Sequence, residues 1–366
     1  MAGASVSIRL NPFKGCEGPE GSPVPWSPYG RILAERPVFT LDPLFHAGCY
    51  YVQDSSAMYV GHVFRKHIPG RGCRVLDLCA SPGGKTTDIA ASLREACGND
   101  FLLVSNEVMK ARQGALRDNV ALWGDPNVTV TGVDPAAFAK LPGFFDVIVA
   151  DVPCSGEGMF RKDPRAEAEW SPAVVELCAA RQKRILADVW PALRKDGILI
   201  YSTCTYERAE NDDNLEWAAE ELGGEIFGPE DEFGQYGVRL TDHGNLLKVG
   251  EVPGEGQWVG ALRKTSDQPV GRVKDLSILR PFGREVGDPD PDYPLSIEFA
   301  SNGCPTVDVD RETALKYLHR DALVLRDAPL GHLVITYKGH PLGYVKNIGS
   351  RCNNLLPKSR RILMNV

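Results

Sequence analysis

Two cysteines fifty residues apart occupy the same kind of place in the chain. FDVIVADVPCSG (145–156) runs apolar to Asp151, then turns through Pro153 to Cys154. ILIYSTCTY (198–206) runs apolar into hydroxyls, with Cys204 among them. A thiolate is a nucleophile, and its pKa falls beside cations or N–H dipoles. A thiol where a buried strand leaves its sheet is therefore a candidate for covalent chemistry. Either cysteine alone could equally be a small buried hydrophobe. The functional reading rests on there being two strand-end thiols, from strands expected to lie side by side. Asp151, the Pro153 carbonyl and Cys154 also form a hydrogen-bonding edge next to a reactive group.

A second constellation lies earlier. LDLCASPGGKT (76–86) follows a strand and opens a helix, and its glycines let backbone N–H groups approach an anionic ligand. Gly84, Lys85 and Thr86 fit the end of a P-loop, but Cys79 stands where that motif needs its first glycine, and no G-x-G-x-x-G is present. ATP and NAD are thus disfavoured, and a nucleoside ligand is left open. SNE (105–107) ends the next strand, where Glu107 suits the two hydroxyls of a ribose. Asp134 follows the third strand and could accept from an adenine amino group. The plain alternatives are a tight strand–helix turn and two solvated loop acids.

The elements that carry these residues alternate. Strands are expected at 74–80, 101–106, 128–132, 145–150 and 197–202. Helices are expected at 85–96, 110–123, 171–195 and 211–222, the third opened by Ser171 as N-cap and Pro172 at the first helical position. Such alternation predicts a doubly wound, mainly parallel sheet, whose ligands bind at the carboxyl ends of the strands. Every candidate above falls at that edge. The first forty residues, rich in Gly and Pro, read as an extended arm. PVGRVKDLSILRPFGREVGDPDPDYP reads as a linker, and GHLVITYKGHPLGYVKN as a hairpin. The expected domains are an N-terminal arm over 1–60, the strand–helix alternating domain over 61–265, and a smaller α+β domain over 270–366.

With 43% apolar and 24% charged residues among 366, the chain has the composition of a globular protein. No apolar run suggests a membrane span and no leader is evident, so a cytosolic setting is expected. Ten cysteines without a C-x-x-C pair argue against a zinc ribbon, and most read as buried thiols. The net charge of −7 hides a polarity: 205–235 carries eleven acids and one base, whereas 338–361 carries six bases and no acid. A phosphate-bearing partner would be gripped locally.

Taken together, LDLCASPGGKT, SNE, VADVPCSGEG and ILIYSTCTY resemble the RNA cytosine-5 methyltransferases of the NOL1/NOP2/Sun family. SIRLNPFKG (7–15), VPWSPYG (24–30), HAGCYYVQDSSAM (46–58), GEGQWVGALRK (254–264) and GYVKNIGSRCNNLLPKSRR (343–361) are similar to segments of its bacterial ribosomal RNA members, so the resemblance spans almost the whole chain. It implies a Rossmann-like methyltransferase domain with a PUA-like C-terminal domain, S-adenosyl-L-methionine as cofactor, and RNA, most of all small-subunit (16S) ribosomal RNA, as partner. It places Cys79, Ala80, Ser81, Pro82, Gly83, Gly84 and Lys85 on the cofactor, Glu107 on its ribose and Asp134 on its adenine. Asp151 would touch both cofactor and cytosine. Cys204 would be the nucleophile, bonding the base covalently, and Cys154 the thiol that assists release. No metal, no membrane and a monomer are expected. The family often has a His before the late Gly-rich segment, and LLKVGEVPGEG has none. The helical region expected before SIRLN is also missing, which implies a truncated chain or a short member. Rival readings are a transfer RNA methyltransferase, a DNA cytosine methyltransferase using Cys154 alone, and a non-catalytic RNA-binding assembly factor.

Overall fold

The computed structural model describes residues 6–161, 164–266, 273, 275–281, 289–301 and 303–364. At its centre is a nine-stranded sheet. Cys73–Asp77 lies in the middle, with Phe101–Asn106 and then Val128–Thr131 parallel on one side. Phe145–Asp151 and then Leu193–Thr203 are parallel on the other. Beyond them Gln257–Lys264 runs antiparallel against Leu193–Thr203. The expected neighbourhood of the two cysteine strands is thus the observed one.

Period-two alternation within these strands feeds two separate cores. Val75, Val147 and Val149 face one side and pack with Ile89, Ala90 and Leu93 of the helix Gly84–Cys97. Leu76, Ile148 and Ala150 face the other and pack with Ile185, Leu186 and Val189 of the helix Pro172–Val189 and with Leu215 of Asp212–Leu222. Helices on both faces make the sheet doubly wound, as the alternation implied. The third helix stops at Val189 rather than continuing to 195. Pro191 has no N–H to continue the ladder, and Trp190–Ala192 is a short 3-10 turn before Leu193 enters the sheet.

The N-terminal stretch is not an extended arm. Val6–Leu10, Ser22–Pro23, Gly30–Leu33 and Tyr50–Val52 form a four-stranded antiparallel sheet. Its strands are short and broken by Gly and Pro, so no period shows in the sequence. This sheet shares one core with the C-terminal domain: Ile8, Leu33, Phe39 and Tyr50 cluster with Leu315, Leu318, Leu333 and Val345. The C-terminal domain holds Thr306–Asp308, the helix Arg311–Leu318, the expected hairpin Gly331–Tyr337 with His340–Asn347, and Cys352–Asn354. Of the linker segment, 269–272, 274 and 282–288 lie outside the described residues.

Arg9 ties the N-terminal sheet to the central domain. Wholly buried, it donates to Gln53 Oε1 at 2.8 Å and to the Gly84 carbonyl at 3.1 Å, with its guanidinium 4.6 Å above the Trp123 ring. Cys16 and Cys49, whose Cα atoms the fold sets 5.9 Å apart, pair as a disulfide and so stand outside the buried-thiol reading that covers most of the ten. His340 stands beside them, but sulfurs bonded to each other are not thiolate ligands, so the three make no metal site while the disulfide is intact. No helix among those residues is long and apolar enough to cross a membrane.

Candidate active site

The parallel register pairs Asp151 with Ser202, so the two strands release Cys154 and Cys204 at the same edge. The Sγ atoms of Cys154 and Cys204 are 3.2 Å apart. Gly158 N–H donates to the Cys204 carbonyl at 2.8 Å, tying the two loops together. The hydrogen bond from Cys154 lowers the pKa of Cys204, assisted by Lys85 against burial and the charge of Asp151. The same hydrogen bond, with burial, holds Cys154 well above the ordinary thiol range. The directions of the two shifts favour Cys154 as the thiol and Cys204 as the thiolate of the pair.

Asp151 is held from three sides. It accepts from Lys85 Nζ at 2.8 Å, Ser202 Oγ at 2.8 Å and Gln257 Nε2 at 3.1 Å. Burial opposes the charge on Lys85, but Asp151 outweighs it and keeps the ammonium above its ordinary value. Lys85, expected on the cofactor, thus reaches over to the cysteine strands.

The remaining candidates line the adjoining strand ends. Asp77 is fully buried, accepts from Thr86 Oγ1 at 2.6 Å, and has its second oxygen, Oδ1, unpartnered. Burial pushes its carboxyl up to about 7. Glu107 is also buried, with Oε1 taken by the Met109 N–H at 2.8 Å and Oε2 without a hydrogen bond but 3.5 Å from the Arg112 guanidinium. Two buried carboxylates, each with an oxygen that accepts no hydrogen bond, lie on consecutive strands, and this fits a ligand bearing an ammonium and a ribose diol.

Between them runs the turn from Cys79 to Lys85. Ala80 N–H bonds the Asn106 carbonyl at 2.9 Å, and Ser81 and Pro82 are anchored to Arg112 and Asn119. Gly83 has φ +112°, a left-handed conformation that glycine tolerates. A Cβ on Gly84 would meet Tyr51 at 3.2 Å, so that glycine serves the packing of the N-terminal sheet. Burial pushes the Cys79 thiol up, making it an inert lining group. Asp134 is exposed and spends one oxygen capping the turn Pro135–Lys140, accepting from Ala136 N–H at 3.0 Å.

Three family models match successive parts of the chain. Residues 2–55 match the N-terminal domain of 16S rRNA methyltransferase RsmF, 68–221 match 16S rRNA methyltransferase RsmB/F, and 304–362 match the methyltransferase RsmF PUA domain. The chain belongs to the RsmB/F methyltransferase family. Ribosomal RNA small subunit methyltransferase F of Pectobacterium atrosepticum is 34% identical over 311 residues, covering 77% of this chain and 63% of that protein. The protein of the same description from Escherichia coli is 37% identical over 279 residues, covering 73% and 57%. The chain therefore spans less than two thirds of the length of these relatives. A methyltransferase homolog protein from Pyrococcus horikoshii superposes with a TM-score of 0.58 at 27% identity, over 71% of this chain and 87% of that one.

In this RsmB/F member, several site residues escape a reading based on strand carboxyl ends. Gln257 is one: it starts a strand, but because Gln257–Lys264 runs antiparallel, its first residue arrives at the edge where the parallel strands end. Gln257 Nε2 also donates to the Thr203 carbonyl at 2.9 Å. The loop before it is held by the N-terminal segment, since Glu255 N–H donates to Asp54 at 3.1 Å and Gly256 N–H to Ser56 Oγ at 3.0 Å. Gln182 and Glu210 are others, both buried behind the Cys154 turn. The polar run YERAEN after Cys204 was the signal for Glu210; a glutamine midway along an amphipathic helix offered none for Gln182.

Proposed function

We propose that this chain methylates carbon 5 of a cytosine in RNA, with small-subunit ribosomal RNA as the substrate, through a covalent bond between Cys204 and the base. The observation that carries this is the 3.2 Å approach of Cys204 to Cys154 beside the Lys85–Asp151 pair. The names of the relatives support ribosomal RNA, and the match to the RsmF PUA domain supports RNA binding by the C-terminal region. The chain would act as a monomer in the cytoplasm.

Carbon 5 of cytosine is a weak nucleophile. When the Cys204 thiolate adds to carbon 6, an S–C bond forms and the ring's electrons shift toward carbon 5 and N3, giving an enamine-like nucleophile. Lys85 and Asp151 would hydrogen-bond N3 and the amino group, relieving that charge in a site partly shielded from water. Asp77, the turn from Cys79 to Lys85, Glu107 and Asp134 would hold S-adenosylmethionine, which would supply an electrophilic sulfonium methyl. After transfer, carbon 5 loses its proton to water and the S–C bond breaks. The Cys154 thiol donates its hydrogen bond to the departing Cys204 sulfur and so assists release. Both thiols must reach one ring, so the base leaves its stack, in a loop or locally opened helix.

The test uses a small-subunit RNA transcript containing 5-fluorocytidine, whose carbon 5 cannot lose fluorine as it loses a proton. Wild-type enzyme with the methyl donor is expected to give a complex that survives denaturing electrophoresis, and Cys204→Ser none. A wild-type enzyme that methylates ordinary transcript but traps no fluorinated one rules out the covalent route. Methylation of transfer RNA alone rules out the substrate.

A further inference from the structure

Behind the Cys154 turn lies a buried polar network that the chemistry above does not use. Glu210 has no exposed surface, and it ends the short 3-10 turn Arg208–Glu210 that follows Cys204. Its carboxylate reaches across to the other cysteine loop, where the Ser155 N–H donates to Oε2 at 3.0 Å. Gln182, also fully buried, donates one amide hydrogen to Glu210 Oε2 at 2.7 Å and the other to the Pro153 carbonyl at 3.0 Å. Asn214 donates to Gln182 Oε1 at 2.7 Å and so fixes which way that amide points. Residues on both sides of Cys154 are thus fastened to one side chain or the other, while the Cys154 thiol is aimed at Cys204.

A buried carboxylate is costly unless its charge is matched by hydrogen bonds. An apolar residue could fill this space without that cost, so what the charged group provides is geometry. A carboxylate accepting from an amide holds a loop more stiffly than a neutral pair does. We propose that Glu210, acting through the Ser155 amide and Gln182, is the positioning residue that aims the Cys154 thiol at the Cys204 sulfur during product release. This rests on the two-thiol reading above. Glu210 touches neither base nor cofactor and takes no proton in the reaction. Its negative charge also sits on the Cys154 side of the pair while Lys85 sits on the Cys204 side, and each acts to keep the proton where release needs it.

The experiment compares Glu210→Gln, Cys154→Ala and the double variant, each as the full chain, with a small-subunit RNA transcript and S-adenosylmethionine. Three quantities are read: kcat, the KM for RNA, and the fraction of protein in covalent adduct on a denaturing gel. Cys154→Ala is the control for the two-thiol reading itself; absence of adduct there overturns that reading whatever Glu210 does. Given adduct in the control, Glu210→Gln is expected to lose about 10- to 100-fold in kcat, as for loss of a hydrogen bond to a charged group. Its KM for RNA should stay unchanged and its adduct should accumulate, with the double variant no worse than Cys154→Ala. Wild-type turnover, loss of adduct formation, or a double variant slower than Cys154→Ala overturns the proposal. Should Glu210→Gln not fold, Gln182→Met keeps the volume and removes both amide bonds. Adduct rising several-fold in that protein supports the proposal, and a wild-type adduct fraction overturns it.

Discussion

Lys85 Nζ lies 2.8 Å from Asp151 Oδ2, joining the start of a helix to the end of a strand 66 residues away. The contact brings a cation from the turn expected to hold the cofactor into the neighbourhood of the cysteine pair. It also balances a carboxylate that would otherwise repel the Cys204 thiolate.

Lys85→Met removes that cation without removing volume. Cys204 should then need a higher pH to ionise, because burial and Asp151 both oppose the thiolate. The rate of Cys204 alkylation by iodoacetamide, followed against pH by mass spectrometry, should shift its midpoint upward. Methyl transfer at neutral pH should fall about tenfold or more. An unshifted alkylation profile would remove Lys85 from this role.

The two cysteines should fail differently. Cys204→Ser is expected to lose methyl transfer by roughly 10⁴-fold or more, the scale seen when a nucleophile is removed. Cys154→Ala should still form the S–C bond and stall, which a denaturing gel reads directly. Equal loss of adduct in both proteins would mean that the thiols do not divide the work in this way.

Asp77 links stability to pH in the sense opposite to most acids. Its carboxyl is raised from 3.8 to about 7 by burial. The stability that its protonation provides is therefore fully present below about 3.8 and lost as pH rises through about 7. Asp77→Asn removes the buried charge, and at pH 8 should raise the unfolding midpoint by about 2–4 °C. The same change should weaken S-adenosylmethionine binding about tenfold or more in calorimetry, since an acceptor is lost. A midpoint that falls at pH 8 contradicts the account of Asp77.

Lys338, Lys346, Arg351, Lys358 and Arg361 are exposed on the C-terminal domain. Exchanging Lys346, Arg351 and Lys358 for Gln should weaken RNA binding by about tenfold or more at low salt and flatten its salt dependence. The loss should be similar for unrelated sequences, because phosphate contacts position without specifying bases. Binding titrations at two salt concentrations check this, and an unaltered salt slope means that RNA lies elsewhere.

Much of the candidate site was legible in the chain because local chemistry carries it. The apolar run before Asp151 and the one before Ser202 are each long enough to be a buried strand, and a sheet of parallel strands must deliver the loops after them to one edge. Cys154, Cys204, Asp151, Glu107 and the turn from Cys79 to Lys85 came from that rule. Asp134 came from it as well, although the fold leaves it exposed as a helix cap.

What the chain alone could not display depends on contacts between distant residues. Gln257 stayed hidden because only strand direction puts its side chain beside Asp151. The N-terminal sheet was hidden because its strands are too short and too interrupted for a period, and are stabilised by sharing a core with Leu315, Leu333 and Val345 some three hundred residues later. The same holds for Glu210 and Gln182, ordinary polar residues until folding removes their water and leaves each other as partners. Residue type and spacing determined which chemistry was possible here, whereas packing decided which sulfurs meet and which side chains hold the loops that carry them.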